Sequence, residues 1–234
     1  MPSRPLTLAV AQPRCTRGDV LGTAREHAEL IVRARARVVM FPELSLTGYE
    51  LDAPVVEPDD PAVAILVAAC RDTGSVALVG APVSGAAGAR HIGVLRVDAA
   101  GAAVAYRKSF LGGAEPTRFT PGTGAVALDV DGWRIGLGVC KDTGVERHVR
   151  ETAALGVDLY LAGLVDHVGD RAVQTTRAGR IARACAAHVG FASFAGATGG
   201  GYDATAGRSS IWSPAGELLA GAGADPGELA RAAL

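Results

Sequence analysis

Apolar segments alternate with amphipathic segments along most of this chain, and that alternation limits the folds open to it. Residues 6–11 are predicted to form a strand, residues 19–36 a helix, and residues 37–41 a second strand that stops at Pro42. Elsewhere strands follow one another directly, as in the runs AVALDV and WRIGLGV. Strand–helix alternation combined with adjacent strand pairs predicts an α/β (α+β) protein with mixed sheets covered by helices. The simplest arrangement of the 234 residues is one domain, residues 1–234.

Short local signals mark several element boundaries. Asp60 followed by Pro61 is typical of a helix start, and Gly74 is expected to end that helix. The dipeptide Asp131-Gly132 between two apolar runs predicts a hairpin with a type I′ turn. The last residues, GELARAAL, look helical by local propensity alone.

Charge balance excludes two classes of partner. The chain has 23 basic and 24 acidic side chains, so it has no net field to attract nucleic acid or an anionic membrane. The first apolar run is only about six residues long before a proline, too short for a signal peptide or a membrane span. The cytoplasm is therefore the expected location.

Cysteine spacing argues against disulfides and metal. Cys15, Cys70, Cys140 and Cys185 are widely separated, with no CxxC pair and no histidine at zinc-ligand spacing. No metal and no cofactor is predicted. Cys70 and Cys185 are interpreted as small buried apolar residues.

Lysine is rare in this chain, since only Lys108 and Lys141 occur among the 23 basic residues. Arginine has replaced lysine nearly everywhere that a generic cation suffices. A retained lysine can mark a place where a compact ammonium is needed rather than a planar guanidinium, and chance survival of two lysines is the alternative.

Three motifs stand at predicted strand ends: FPELSLTGYE with Glu43, AYRKSFL with Lys108, and GLGVCKDTG with Cys140. Strand ends at one rim of a sheet bring distant residues together, so a carboxylate, an ammonium and a thiol are expected to meet. A carboxylate can take the proton of a thiol whose pKa is about 8.5, and an ammonium can stabilise an oxyanion. The helix expected after Cys140 would also lower the pKa of that thiol. These residues together suffice for acyl transfer.

The same blocks, in this chain order, resemble the three catalytic blocks of the nitrilase (carbon–nitrogen hydrolase) superfamily. Further similar segments are AVAQP, RFTPG, RIARACAAHVGFASFAG and GRSSIWSPAGELLA, so the resemblance covers essentially the whole chain. It implies an α-β-β-α sandwich of two mixed sheets flanked by helices, and a homodimer or higher homo-oligomer. It also implies that GELARAAL is a strand, against its local propensity.

The resemblance further implies the roles of individual residues. Glu43 would be the general base, Lys108 the stabiliser of the tetrahedral intermediate and Cys140 the nucleophile. Glu115, in GGAEPTRFTPG, matches a second glutamate that the family places beside the lysine and the substrate. An ordinary loop carboxylate is the alternative for Glu115.

The segment after the nucleophile departs from the family pattern. Lys141 stands where an aromatic residue is common, whereas Asp142 is kept. An oxyanion contact needs only the backbone N–H of Lys141, so the mechanism is unaffected. Its ammonium could lower the pKa of Cys140, but a side chain that points to solvent is favoured. Asp142 is expected to cap the next helix or to pair with an arginine. Asp166 and His167 follow the strand DLYLAGL, where the family lines its substrate pocket, but an Asp-His pair in a loop also suits plain surface.

These features favour an enzyme that cleaves a non-peptide C–N bond of a small amide or N-carbamoyl amine, with water as the second reactant. Nitrile hydrolysis and acyl transfer to an amine would use the same three residues. A catalytically silent binding protein of the same fold is the alternative from another class.

The glycine-rich run GATGGGYDATAG lacks the GxxxxGK[ST] form of a phosphate-binding loop, and is predicted to be a flexible loop near the pocket mouth.

Overall fold

The computed structural model describes residues 5–234 and contains four α-helices in that part of the chain. The helices are α1 (Val20–Ala34), α2 (Pro61–Thr73), α3 (Glu146–Ala154) and α4 (Arg171–Cys185). One six-stranded sheet, here the first sheet, contains β1 (Thr7–Gln12), β2 (Val38–Met40), β3 (Val76–Ser84), β4 (Arg90–Asp98), β5 (Gly101–Arg107) and β14 (Glu228–Ala233).

The second sheet also has six strands: β6 (Val126–Val130), β7 (Trp133–Val139), β8 (Leu159–Leu164), β9 (His188–Ser193), β12 (Ser210–Trp212) and β13 (Leu218–Gly221). A small antiparallel pair, β10 (Ala195–Gly196) with β11 (Thr205–Ala206), completes the strands of the described chain.

Strand order is β14-β1-β2-β3-β4-β5 in the first sheet and β13-β12-β9-β8-β7-β6 in the second. In each sheet three central parallel strands, β1-β2-β3 and β7-β8-β9, are flanked by antiparallel partners. Two helices connect the central strands of each triplet, α1 and α2 in the first and α3 and α4 in the second. The two halves therefore share one pairing pattern, a duplication that no repeat in the sequence indicates.

Side-chain alternation explains the layers. In β1, Leu8 and Val10 point into the core between the sheets, whereas Ala9 and Ala11 face α1 and α2. Tyr160 in β8 likewise faces α4, on the opposite side of the second sheet from the central core. Burial of apolar side chains on both faces of each sheet fixes an α-β-β-α sandwich, and the fold predicted from the sequence is confirmed.

The local signals act as expected at three places. Asp60 accepts a hydrogen bond from the Ala62 N–H at the start of α2, and Gly74 ends that helix with a φ of 70°. Asp131 and Gly132 have φ values of 51° and 85°, as a type I′ turn requires.

The helical prediction for GELARAAL is wrong, and the strand implied by the family resemblance is confirmed. These residues form β14, which pairs antiparallel with all of β1 from Thr7↔Ala233 to Gln12↔Glu228. Alanine favours helices locally, but this segment satisfies the backbone hydrogen bonds of β1 at the sheet edge and buries Ala230. Pairing with β1 therefore outweighs the helix propensity of this segment.

The segment after β7 also differs from the helix expected directly after Cys140. Residues Cys140–Gly144 form a short 3₁₀ turn, and α3 begins only at Glu146. No helix in the described part of the chain is both long enough and apolar enough to cross a membrane.

Candidate active site

Glu43, Lys108 and Cys140 each follow a strand, and the sandwich brings them together. Glu43 comes shortly after β2 and Lys108 directly after β5, so both extend from the first sheet, whereas Cys140 directly follows β7 of the second. The Lys108 Nζ lies 2.6 Å from Glu43 Oε1 and 2.8 Å from Glu115 Oε1. Glu43, Lys108 and Glu115 are only 1%, 1% and 2% exposed. An ammonium is thus held between two carboxylates in a nearly dry site.

Two glycines allow the backbone around Glu43 to lie between the sheets. A Cβ on Gly80 of β3 would come within 2.1 Å of the Pro42 carbonyl oxygen. A Cβ on Gly163 of β8, in the other sheet, would come within 2.7 Å of the Glu43 nitrogen. Any side chain at either position would push Glu43 away. Neither role is predictable from the sequence, because a glycine within a strand does not reveal what approaches it.

Cys140 occupies a sharp, strained turn. Its φ is 40°, in the left-handed region that side chains other than glycine rarely adopt. The Thr143 hydroxyl donates to the Cys140 carbonyl at 2.6 Å and stabilises the turn. The residue as a whole is half-buried, and its thiol points inward and donates to the Val165 carbonyl at 3.4 Å. The strained backbone presents the sulfur at the strand end rather than inside the sheet.

Burial dominates the electrostatics of these groups. It raises the pKa of Glu43 to about 7, with the Lys108 charge opposing and the Glu115 charge reinforcing the rise. Burial alone would lower the pKa of Lys108, but attraction to Glu43, the Cys140 thiolate and Glu115 raises it above its usual value. The ammonium therefore stays charged, while Glu43 changes protonation near neutral pH.

The thiol pKa is shifted in the direction opposite to the one the sequence predicted. Burial, and then the Glu43 charge, raise the pKa of Cys140 well above its usual value, although Lys108 lowers it. The expected helix start is a five-residue 3₁₀ turn, whose dipole is too short to offset this burial. Cys140 is therefore a neutral thiol at rest, and its ionisation requires a base.

One oxygen of Glu43 has no partner. Oε1 accepts from Lys108, but Oε2 is buried and makes no hydrogen bond. An unpaired buried acceptor costs about 1–3 kcal/mol, which is unusual in a folded protein. This oxygen is free to accept a proton from a group that enters the site.

Glu115 lies beside Lys108 and is fixed by three donors. Its Oε1 accepts from Lys108 and from the Tyr49 hydroxyl, the latter at 2.6 Å, and its Oε2 accepts from the Gly112 N–H at 2.8 Å. Glu115 therefore holds the ammonium of Lys108 in place. Tyr49 was missed as a site residue although it ends the motif FPELSLTGY, because nothing in the motif shows where its hydroxyl points.

The three other predicted site residues lie around this centre. The Lys141 ammonium is exposed and donates to the Leu111 carbonyl at 2.5 Å. Asp166 accepts from Gln174 at 2.9 Å, and its charge raises the pKa of Cys140.

His167 belongs to an aromatic wall beside the site. Its ring stacks on Tyr202 with centroids 4.3 Å apart, and Tyr202 meets Tyr49 edge-on at 5.0 Å. Tyr202 follows three glycines in the glycine-rich run, and the Thr198 carbonyl of the same run accepts from the Tyr49 N–H at 2.8 Å. The run is therefore packed against the segment that carries Tyr49.

Comparisons with known proteins agree with this geometry. The sequence model of the carbon-nitrogen hydrolase family matches residues 7–234. A protein of Pseudomonas protegens named "Hydrolase in pqqF 5'region" is 28% identical over 221 residues, 88% of this chain and 75% of that protein.

Two solved structures share the fold over nearly the whole chain. Nit3 of Saccharomyces cerevisiae, a member of branch 10 of the nitrilase superfamily, superposes with a TM-score of 0.87 at 20% identity, covering 99% of this chain and 90% of that one. The amidase from Nesterenkonia sp. AN1 superposes with a TM-score of 0.85 at 25% identity, covering 98% and 93%. In that mutant structure acrylamide is added to the active-site cysteine, and another mutant of the same amidase is in complex with butyramide.

Proposed function

The chain belongs to the carbon–nitrogen hydrolase family, and from that premise we propose that it is a thiol amidohydrolase of small, non-peptide amides or N-carbamoyl amines. Cys140 is the nucleophile, Glu43 the general base and acid, and Lys108 the oxyanion stabiliser. Glu115 holds Lys108 and contacts the substrate side of the site. The observation that carries the proposal is the unpaired, buried Oε2 of Glu43 beside a charged ammonium and a neutral thiol.

Acylation follows from these positions. Glu43 takes the proton of the Cys140 thiol, and the sulfur attacks the amide carbon to give a tetrahedral intermediate. The negative oxygen is stabilised by the Lys108 ammonium and by the backbone N–H of Lys141. Glu43 then gives its proton to the nitrogen, ammonia or an amine leaves, and a thioester on Cys140 remains.

Deacylation reuses the same groups. Glu43 takes a proton from water, the resulting hydroxide attacks the thioester carbon, and Lys108 again stabilises the oxyanion. The intermediate collapses to a carboxylic acid, and the Cys140 sulfur recovers its proton from Glu43. A carboxyl with a pKa near the working pH is suited to giving and taking protons in both halves.

Substrate size is expected to be small. Tyr49, Tyr202 and His167 form an aromatic wall next to the site, and Asp166 lies close enough to influence Cys140. Mutants of the Nesterenkonia amidase hold butyramide in a complex and acrylamide as a Michael adduct on the active-site cysteine, and both compounds are short aliphatic amides. We therefore place short carboxamides first among the candidates, with Asp166 and His167 as substrate-side residues.

Ammonia release tests the function directly. We expect the purified protein to release ammonia from at least one short amide in a panel that also contains N-carbamoyl amines and nitriles. Intact-mass measurement during turnover should show an acyl group on Cys140. Faster amide loss with added hydroxylamine would reveal acyl transfer, whereas turnover of nitriles alone would replace the amide assignment. Neither ammonia release nor acylation across the panel would contradict the proposal.

The pH dependence of kcat/KM tests the role of Glu43 as the general base. Because burial raises the pKa of Glu43 to about 7, we expect kcat/KM to rise with pH below about 7, by about tenfold per unit, and to level off above it. Lys108 keeps its charge throughout, since its pKa is raised. A profile measured from pH 5 to 9 that is flat below pH 7 would exclude Glu43 as a base with this environment.

Association into a homodimer stays a prediction, and exposed apolar side chains are compatible with it. Val168 and Val173 near the start of α4, and Leu218 in β13, are 60%, 41% and 63% exposed. A contact between two copies of the chain could bury such side chains.

A further inference from the structure

We propose that Asp142 and Tyr106 form a positioning clamp that fixes the Cys140 turn against the Lys108 segment and so sets the approach of the ammonium to the sulfur. The inference rests on the proposed function, because it assigns a role within that same site. The two residues touch neither the reacting sulfur nor the ammonium, and they act through the backbone on either side of them.

The Asp142 carboxylate joins the two segments. Its Oδ2 accepts from the Val139 N–H at 3.0 Å, directly before Cys140. Its Oδ1 accepts from the Phe110 N–H at 2.9 Å, just after Lys108. Asp142 is fully buried, so water does not compete for these bonds. The two alternatives expected from the sequence, a cap on the following helix or a pair with an arginine, are thus replaced by a bridge between two loops.

Tyr106 strengthens the same bridge. Its hydroxyl donates to Asp142 Oδ2 at 2.8 Å and accepts from the Ser109 N–H at 3.3 Å. The Tyr106 hydroxyl also lies 2.9 Å from His148 Nε2, and the Tyr160 hydroxyl lies 3.3 Å from His148 Nδ1. One histidine tautomer satisfies the whole row: Tyr160 donates to Nδ1, Nε2–H donates to Tyr106, and Tyr106 donates to Asp142.

Hydrogen bonds between the Cys140 turn and the Lys108 segment are needed because the two reacting groups belong to different sheets. Lys108 extends from the first sheet and Cys140 from the second, and no strand ladder joins the two sheets in the part of the chain that the structure describes. Packing of apolar side chains is not directional, so it does not set a donor distance precisely. A displacement of about 1 Å in a site costs about 10²-fold in rate. The hydrogen bonds that Asp142 and Tyr106 make are directional, so they can set the distance between the ammonium and the sulfur.

A matched pair of tyrosine variants tests the clamp. Tyr106→Phe and Tyr160→Phe each remove one buried hydroxyl bonded to the same histidine, but only Tyr106 is bonded to Asp142 and Ser109. We expect a similar fall in Tm for both. We expect kcat to fall about tenfold or more in Tyr106→Phe alone, with KM unchanged, because misplacement weakens transition-state contacts rather than substrate binding.

Alkylation of Cys140 by iodoacetamide as a function of pH gives a readout that does not need a substrate. Lys108 lowers the pKa of the Cys140 thiol, so a less well fixed ammonium should move the alkylation profile of Tyr106→Phe to higher pH. The profile of Tyr160→Phe should stay where it is in the wild-type protein. Asp142→Asn is the second variant if Tyr106→Phe does not fold, and the same shift is expected from it.

The outcomes distinguish failure of the positioning clamp from failure of the proposed function. Equal kcat and equal alkylation profiles in the two tyrosine variants would reduce the clamp to ordinary structural support and overturn the inference. If the wild-type protein hydrolyses no amide, the proposed function fails, but the alkylation profiles still decide whether Tyr106 positions Lys108 against Cys140.

Discussion

Replacement of Cys140 by alanine is expected to lower kcat by about 10⁶-fold for any amide that the wild-type protein hydrolyses. The geometry leaves no substitute for the sulfur. The groups around it are a carboxylate that is needed as the base and an ammonium that cannot attack carbon. Without the thiol, water would have to add directly to an amide, and the base and oxyanion contacts alone supply only a small part of the rate.

Cys185→Ala is the matched control. Cys185 is also half-buried, ends α4 and has a pKa raised by burial, but it contacts the Val149 carbonyl rather than the site. We expect Cys185→Ala to keep wild-type kcat, and the Cys140→Ala protein to keep the wild-type circular dichroism while forming no acyl adduct by intact mass. A Cys140→Ala protein with more than about one-hundredth of the wild-type kcat would contradict covalent catalysis by this residue, given the expected loss.

Much of the framework could be predicted from the sequence because its signals are local. Asp60-Pro61 and Gly74 bound a helix by capping rules that involve only neighbouring residues, and Asp131-Gly132 specifies its turn by backbone preference. The meeting of Glu43, Lys108 and Cys140 was also expected, because each follows a strand and strand ends gather at a rim. Their catalytic roles stay proposals for the experiments described above.

What could not be predicted depends on contacts between distant segments. Gly80 and Gly163 matter because of a loop that comes from another part of the chain, and Tyr49 matters because its hydroxyl reaches Glu115. The strand β14 forms only because β1 offers it an edge. The thiol pKa was predicted in the wrong direction because the sequence does not show how deeply Cys140 is buried. For β14 and for the thiol, a local rule was correct in itself but weaker than tertiary pairing or burial.

The second large effect is expected from Lys108→Met, which keeps the length of the side chain and removes its charge. Loss of one oxyanion donor typically lowers kcat by about 10²–10³-fold. Lys108 also lowers the pKa of Glu43, so its removal should raise that pKa further and leave the base protonated at neutral pH. The variant should therefore lose more than about 10³-fold at pH 7, and the rising limb of its pH profile should move to higher pH.

Stability gives an independent check on the same variant. Removing the ammonium leaves the carboxylates of Glu43 and Glu115 facing each other in a buried site, and breaking a buried ion pair from one side costs about 3–5 kcal/mol. Burial and the facing Glu115 charge, no longer opposed by the ammonium, should then raise the pKa of Glu43 further in the folded state. Protonation of Glu43 relieves the repulsion, so the loss of stability should be largest above about pH 8 and should shrink as the pH falls below the raised pKa of Glu43.

Urea unfolding of Lys108→Met from pH 5 to 9, set beside Arg150→Met, separates this effect from a general loss of positive charge. Arg150 pairs with Glu146 on the exposed face of α3, where such a pair contributes about 0.3–0.5 kcal/mol. We expect the control to show a small, nearly pH-independent loss. If the Lys108→Met protein lost as little as the control at pH 9, the ammonium would not be holding two buried carboxylates together.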